Sequence, residues 1–129
     1  MGIFSKNSLE RLTTCEPDLQ RVFFEVVKHF DCVILVGHRD EKAQNAVFHE
    51  GLSKLAWPKS THNSVPSRGV DVAPFPINWH DSERFCYFAG FVKGVALSMG
   101  VKVRWGGDWD SDTQVSDEHF RDLVHFELV

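Results

Sequence analysis

A chain of 129 residues is long enough for one domain with a single hydrophobic core, and its 43% apolar and 12% aromatic residues can supply that core. The net charge of -4 arises from acidic and basic residues that are mixed along the sequence, so a clustered basic surface for nucleic acid is not expected. No apolar stretch has the length of a signal peptide or of a membrane span. We therefore expect one domain over residues 1–129, made in the cytoplasm, without stable membrane association and monomeric.

The three cysteines are an odd number and lie far apart in the sequence, at Cys15, Cys32 and Cys86. Each lies within or beside an apolar run, which favours buried free thiols over disulfides. The absence of a Cys-x-x-Cys pair argues against a structural zinc site built from cysteines.

The first half of the chain predicts two helices and one strand. Apolar residues at helical spacing predict a core helix over 17–30, and the short β-branched run 32–36 predicts a buried strand that ends at Gly37. Asp40 is suited to cap a following helix over 41–54, whose apolar face is weaker.

The middle of the chain combines a polar loop with a short strand. Residues 57–67 are rich in Pro, Ser, Thr and Asn and predict a surface loop. The period-two pattern of residues 69–73 predicts a strand in which Val70 and Val72 face the core. Asp71 then points to the opposite side, into a cleft.

The last third predicts the longest helix and two more strands. A broad apolar stripe predicts a helix over 82–99, and alternating residues predict strands over 101–105 and 125–129. Helices and short, mainly antiparallel strands in this order predict an α+β domain, with helices packed on a small sheet.

Two fragments each combine an imidazole with a carboxylate. His62 and Asp71 lie at the two ends of the polar loop, and His125 follows Asp122 by three residues. Catalytic zinc commonly has three protein ligands from His and carboxylates and keeps a fourth position for water. The sequence therefore predicts zinc bound by His62, Asp71 and His125, with Asp122 accepting a proton from water.

Each of these residues also has a simpler interpretation, because a single loop histidine is usually exposed and a single strand aspartate is usually solvated. The pairing of imidazole with acid in both fragments favours the metal site, as do the apolar neighbours of Asp71 and His125, since a buried charge needs a partner. The remaining histidines include His49 and His119, which we expect to be exposed.

Two further regions could contact a ligand. Arg39 follows the first strand and could bind a substrate oxygen with its rigid fork of donors, although a surface ion pair with Asp40 or Glu41 is equally compatible with the sequence. The segment Trp105–Trp109 places two aromatic residues around two glycines, where a backbone can approach a ligand. A plain turn with one packed tryptophan is the alternative.

Four pieces of sequence, in this order, resemble the family of zinc D-Ala-D-Ala carboxypeptidases and L-alanyl-D-glutamate endopeptidases, and most closely its small phage endolysins. They are Arg39 with Gln44, Ser60-x-His62 with Val70-Asp71, Trp105-Gly106-Gly107-Asp108-Trp109, and Asp122-x-x-His125-Phe126-Glu127. The resemblance covers nearly the whole chain and implies an α+β fold shared with the hedgehog signalling domain.

The resemblance also implies roles for individual residues. His62, Asp71 and His125 would bind Zn²⁺, Asp122 would be the general base, and Arg39 would stabilise the scissile carbonyl or the oxyanion. Substrate contacts are expected from five residues, namely Ser60, Gln44, Trp105, Asp108 and Trp109. The chain departs from the family pattern in having eight residues between the first histidine and the aspartate, where six are usual.

The predicted function is hydrolysis of a peptide bond in the stem peptide of bacterial peptidoglycan, by a protein made in the host cytoplasm that acts on the cell wall after release. The bond is either L-Ala–D-Glu or D-Ala–D-Ala. The alternative functions are a non-catalytic zinc-binding recognition domain of hedgehog-like fold and a structural domain that binds no metal.

Overall fold

The computed structural model describes residues 2–116 and 121–129 and contains α-helices on one four-stranded sheet. The predicted exposure of His119 lies outside these residues. The elements in chain order are α1 (Lys6–Leu12), α2 (Pro17–Val26), β1 (Cys32–Val36), α3 (Glu41–His49), a short 3-10 helix (Thr61–Asn63), β2 (Gly69–Pro74), α4 (Ser82–Ser98), β3 (Val103–Gly106) and β4 (Asp122–Leu128).

The sheet has the strand order β1-β2-β4-β3, and all its neighbouring strands are antiparallel. The two central strands, β2 and β4, pair Val70 with Phe126 and Asp71 with His125. Because side chains alternate along a strand, the first pair faces the core and the second faces the opposite side. The predicted α+β architecture is confirmed, as is the opposite orientation of Val70 and Asp71.

The core lies between one face of the sheet and the helices α2 and α4. Pro17 begins α2, where its missing N–H is not needed, and the apolar face of this helix is fully buried. Phe23 of α2 and Phe88 of α4 each pack edge-to-face on Phe126 of β4, with ring centroids 5.5 and 6.1 Å apart. These contacts fix β4, and with it the polar side chains on its opposite face.

The element boundaries differ from the predicted ones in instructive ways. Helix α1 was not predicted, because Ser8 and Leu12 are its only buried residues and two positions make no apolar stripe. Helix α3 ends at His49 instead of 54, and Gly51 follows it with a φ of +76°. The apolar face predicted for α3 is also wrong, since its buried residue is Gln44.

Two of the three cysteines are buried free thiols, as predicted. Burial raises the pKa of Cys15 to about 11 and that of Cys32 to about 12. Cys86 is only partly buried, which corrects the prediction for that residue. Among the described residues, no helix has both the length and the apolar character needed to cross a membrane.

Candidate active site

His62 is delivered to the cleft by the short 3-10 helix that follows the polar loop. Ser60 caps this helix by accepting a hydrogen bond from the His62 backbone N–H, and Oδ1 of Asn63 accepts one from the Ser60 N–H. The ring is buried, and its Nδ1–H donates to the carbonyl oxygen of Gly37 at 2.7 Å. Nε2 is therefore left with a lone pair that faces Asp71 and His125.

Asp71 lies on the cleft face of β2, between the two imidazoles. Its Oδ1 is 3.1 Å from Nε2 of His62 and 3.0 Å from Nδ1 of His125, and its Oδ2 is 3.8 Å from Nη2 of Arg39. Burial alone would raise the pKa of Asp71, but the two imidazoles hold it well below its usual range. The carboxylate is thus ionised and surrounded by groups that attract negative charge.

His125 lies directly opposite Asp71 in the β2–β4 register. Its Nε2–H donates to Oε1 of Glu127 at 2.8 Å, so the ring directs its Nδ1 lone pair toward Asp71. Burial would lower the pKa of His125, but the hydrogen bonds to the two carboxylates raise it to about 9. The two carboxylates therefore favour a positive charge at this point, whether that of a proton or that of a bound cation.

The three facing atoms of His62, Asp71 and His125 are arranged so that they could hold a metal ion. They lie within 3.2 Å of one another. The other ring nitrogen of each imidazole donates a hydrogen bond to an acceptor outside the cluster. Two lone pairs and a carboxylate oxygen converging on one point suit a divalent cation such as zinc, with a fourth position left open. The structure thus brings together the three predicted ligands.

Asp122 enters the cleft through an irregularity in β4. The β3–β4 register pairs Trp105 with Phe126 but the next residue, Gly106, with Asp122, so residues 123–125 form a bulge. The indole N–H of Trp105 donates to the carbonyl of Leu123 at 2.9 Å and holds this bulge. Burial, followed by the charge of Asp71, raises the pKa of Asp122 above its usual range, which suits a proton acceptor near neutral pH.

Arg39 is held in the cleft by hydrogen bonds with Gln44 and Asn63. Its Nη1 donates to Oε1 of Gln44 at 2.9 Å, and Asn63 donates to the same oxygen and to the Arg39 carbonyl. The ion pair of Arg39 is with Asp71, and within residues 2–116 and 121–129 it forms none with Asp40 or Glu41, the alternative that the sequence left open.

The cluster opens into a cavity of about 640 Å³. Its lining includes the predicted metal ligands, both predicted catalytic residues and two of the predicted substrate contacts, Ser60 and Trp109. The Trp109 ring lies 5.7 Å from the His125 ring. The full lining is Arg39, Val47, Leu52, Ser53, Lys54, Leu55, Lys59, Ser60, Thr61, His62, Asp71, Arg104, Trp109, Asp122, His125 and Glu127.

Three predicted substrate contacts, Gln44, Trp105 and Asp108, are buried and do not line this cavity. Gln44 donates to Ser53 and to the Leu55 carbonyl besides accepting from Arg39. Trp105 is the packed tryptophan of the plain-turn alternative. Asp108 accepts backbone N–H groups from residues 112 and 113 and shapes the turn. Their partners lie within the protein, so any effect on substrate is indirect.

Sequence reasoning missed Glu127 and Arg104 as members of the site. Glu127 bonds His125 and also pairs with Nη1 of Arg104 at 3.2 Å. The alternation of β4 places Glu127 on the face of His125, and the alternation of β3 places Arg104 on the face opposite Val103. Both residues could have been found from that pattern.

The longer loop between His62 and Asp71 still delivers both side chains to one point. Its ends are tied by the Arg68 N–H to the Thr61 carbonyl at 3.1 Å, and Val65, 82% exposed, lies at the tip. The additional residues are therefore accommodated at the surface, away from the cluster.

A model of the phage L-alanyl-D-glutamate peptidase family matches residues 1–129. The chain belongs to this family. It is 34% identical to the L-alanyl-D-glutamate peptidase of Escherichia phage T5, over 98% of this chain and 97% of that protein. It also superimposes on the crystal structure of the Serratia marcescens L-Ala D-Glu endopeptidase ChiX, with a TM-score of 0.77, 26% identity, and coverage of 99% of this chain and 91% of the other.

These matches confirm the predicted family, and with it the predicted fold and peptidase function. Both relatives carry names that specify the same bond, between L-alanine and D-glutamate.

Proposed function

We propose that this chain is a zinc peptidase that hydrolyses the L-Ala–D-Glu bond in the stem peptide of bacterial peptidoglycan, with residues 1–129 forming one monomeric peptidase domain. The observation that carries the proposal is the convergence of two imidazole lone pairs and the Asp71 carboxylate at the base of an open cavity. The names of the relatives favour this bond over D-Ala–D-Ala.

The chain would hold the metal through Nε2 of His62, Oδ1 of Asp71 and Nδ1 of His125. A zinc ion there supplies Lewis-acid chemistry, polarising the scissile carbonyl and lowering the pKa of a water molecule to about 7. The hydrogen bonds to Gly37 and Glu127 keep both rings in the tautomer that presents a lone pair.

Asp122 would accept the proton of the attacking water and transfer it to the leaving amine. Its raised pKa makes that return transfer easier than for an ordinary aspartate, because the protonated form is better populated. Arg39, held by Gln44, would bind the oxygen that gains negative charge as water adds to the carbonyl. A domain used only for recognition would need neither group.

The proposed place of action is the cell wall, reached after release from the host cytoplasm in which the protein is made. The phage family and the cleft are compatible with a short peptide as substrate, since a cavity of about 640 Å³ is in the usual range for small ligands.

The test is Asp122→Asn, with digestion of purified peptidoglycan followed by mass spectrometry of the fragments. We expect new N-terminal D-Glu and C-terminal L-Ala from the unmodified protein, and a kcat about 10²–10⁴-fold lower in the variant with zinc near one per chain. Asp18→Asn, which alters an exposed ion pair with Arg21, is the control. Full activity of Asp122→Asn would exclude the proton-transfer role, and chelator-insensitive hydrolysis would exclude zinc.

A further inference from the structure

Five charged side chains form one connected line across the cleft. Arg39 contacts Asp71 at 3.8 Å, Asp71 contacts His125 at 3.0 Å, His125 contacts Glu127 at 2.8 Å, and Glu127 contacts Arg104 at 3.2 Å. The two guanidinium groups therefore lie at opposite ends of the line, with the metal-ligand cluster between them. Both arginines also line the cavity, so each is available to a substrate held over the cluster.

Most of the guanidinium N–H donors of Arg104 are available to a ligand. Only its Nη1 is used, in the pair with Glu127, and among residues 2–116 and 121–129 the other guanidinium nitrogens have no partner. Its side chain is 38% exposed and lines the cavity. Arg39, in contrast, is 15% exposed and is held by Gln44 and Asp71. Arg104 is thus held by Glu127 through Nη1, and its other guanidinium nitrogens can bind a ligand.

The charge of the cavity wall is opposite in sign to that of the whole chain. The chain has a net charge of -4, but basic side chains outnumber carboxylates in the lining even before a divalent cation is added. The basic groups are Arg39, Lys54, Lys59 and Arg104, and the carboxylates are Asp71, Asp122 and Glu127. Such a cleft favours an anionic substrate.

We propose that Arg104 is a specificity-determining residue that binds the free carboxylate of the glutamate residue at the scissile bond. This inference rests on the proposed function. A glutamate joined to its neighbours through its amine and one carboxyl group keeps its second carboxylate free, on the same residue as the nitrogen that leaves. The guanidinium fork suits such a group better than an ammonium does, because its paired N–H donors match the two carboxylate oxygens.

The test compares two stem peptides that differ only in this group, one with the free carboxylate and one with a carboxamide. For the unmodified holoenzyme we expect kcat/KM to be about 10- to 100-fold higher for the acid, the range for a hydrogen bond to a charged group. In Arg104→Gln this ratio should fall to near one, mainly through a higher KM for the acid. Arg104→Lys should give an intermediate ratio.

Lys102→Gln is the matched control, since it removes a basic residue close in sequence that does not line the cavity, and it should keep the full ratio. Calorimetry of the D-glutamyl product and its amide, with each zinc-loaded variant, gives a readout independent of turnover. Zinc content checks that the loss of the pair with Glu127 has not emptied the metal site.

An unchanged acid-to-amide ratio in Arg104→Gln would overturn the proposal, as would collapse of the ratio in Lys59→Gln alone, which would assign the carboxylate to Lys59 instead. If the unmodified enzyme cleaves both peptides equally well, the carboxylate is not recognised, and this inference fails while the proposed function stands. If it cleaves neither peptide, the proposed function itself fails.

Discussion

The two imidazoles of the cluster, His62 and His125, present their lone pairs to the same point but are held in different ways. His62 lies on a loop helix and donates to a backbone carbonyl, that of Gly37. His125 lies on a central strand and donates to a carboxylate, that of Glu127, which in turn contacts Arg104. The imidazole of His62 is therefore fixed by the main chain, and that of His125 is coupled electrostatically to the wall of the cleft.

The two acceptors therefore differ in charge, although both orient an imidazole ring. A carbonyl orients a ring but adds no net charge, whereas a carboxylate orients the ring and also makes it a stronger electron donor to a metal. We expect the two sides of the site to respond differently to mutation, although both are needed.

The largest expected effect does not distinguish the two sides. His62→Ala and His125→Ala should each lose zinc and peptidase activity, because two remaining ligands do not complete a catalytic zinc site. Elemental analysis and peptide hydrolysis check this, with the exposed His49→Ala as a control that keeps both. Full zinc occupancy in either variant would remove that histidine from the ligand set.

The second-largest expected effect concerns only the support of His125. Glu127→Gln preserves size but removes the charge that orients the ring, so zinc affinity should fall about 10- to 100-fold. Competition with a chromogenic chelator measures it. An affinity equal to that of the unmodified protein would mean that β4 alone orients His125.

On the side of His62, the matching change is Gly37→Ala. A Cβ at this position would overlap the carbonyl oxygen of Arg11 and Oγ1 of Thr14, so the backbone that holds the ring must move. We expect a loss of about 1–3 kcal/mol in the free energy of unfolding, measured with urea, and weaker zinc binding as a consequence.

The control for that change is Gly90→Ala in α4, where an added methyl group meets no atom within 4 Å. Within a helix this substitution should stabilise the protein by about 0.5–1 kcal/mol. If Gly37→Ala behaved like Gly90→Ala, the support of His62 by the main chain would be less rigid than the structure shows.

The smallest expected effect tests whether Thr61 contributes to the support of His125. Thr61 lies beside His62 in sequence, yet its hydroxyl is 3.3 Å from Oε1 of Glu127 and so belongs to the His125 side. Thr61→Val should cost about 1 kcal/mol or less in stability, the range for one long hydrogen bond, and change zinc affinity only a few fold. Thermal unfolding with and without zinc measures both. A loss as large as that of Glu127→Gln would make the hydroxyl an essential partner.

The sequence was sufficient for the parts of the site that follow strand periodicity. Alternation along β2 and β4 placed Asp71 and His125 on the face opposite Val70 and Phe126, and the structure confirms these positions. The core helices and strands could be predicted for the same reason, because their buried apolar residues repeat at regular intervals.

The sequence was insufficient where a partner is a backbone group or where a polar residue is buried. Every residue has a carbonyl, so nothing marks that of Gly37 as the acceptor for His62. The family resemblance predicts that Gln44 contacts substrate, but the network around Arg39 buries it completely. Such pairings depend on tertiary contacts, which periodicity does not encode.

The surface turn that follows His62 has a practical consequence. Because Val65 is 82% exposed and the ends of the turn are fastened to one another and to Thr14, its tip can change without moving the cluster. A cysteine introduced at Val65 would be far more accessible to a fluorescent label than the buried Cys15 and Cys32 or the partly buried Cys86. The labelled protein could then be used to test the proposed action at the bacterial cell wall.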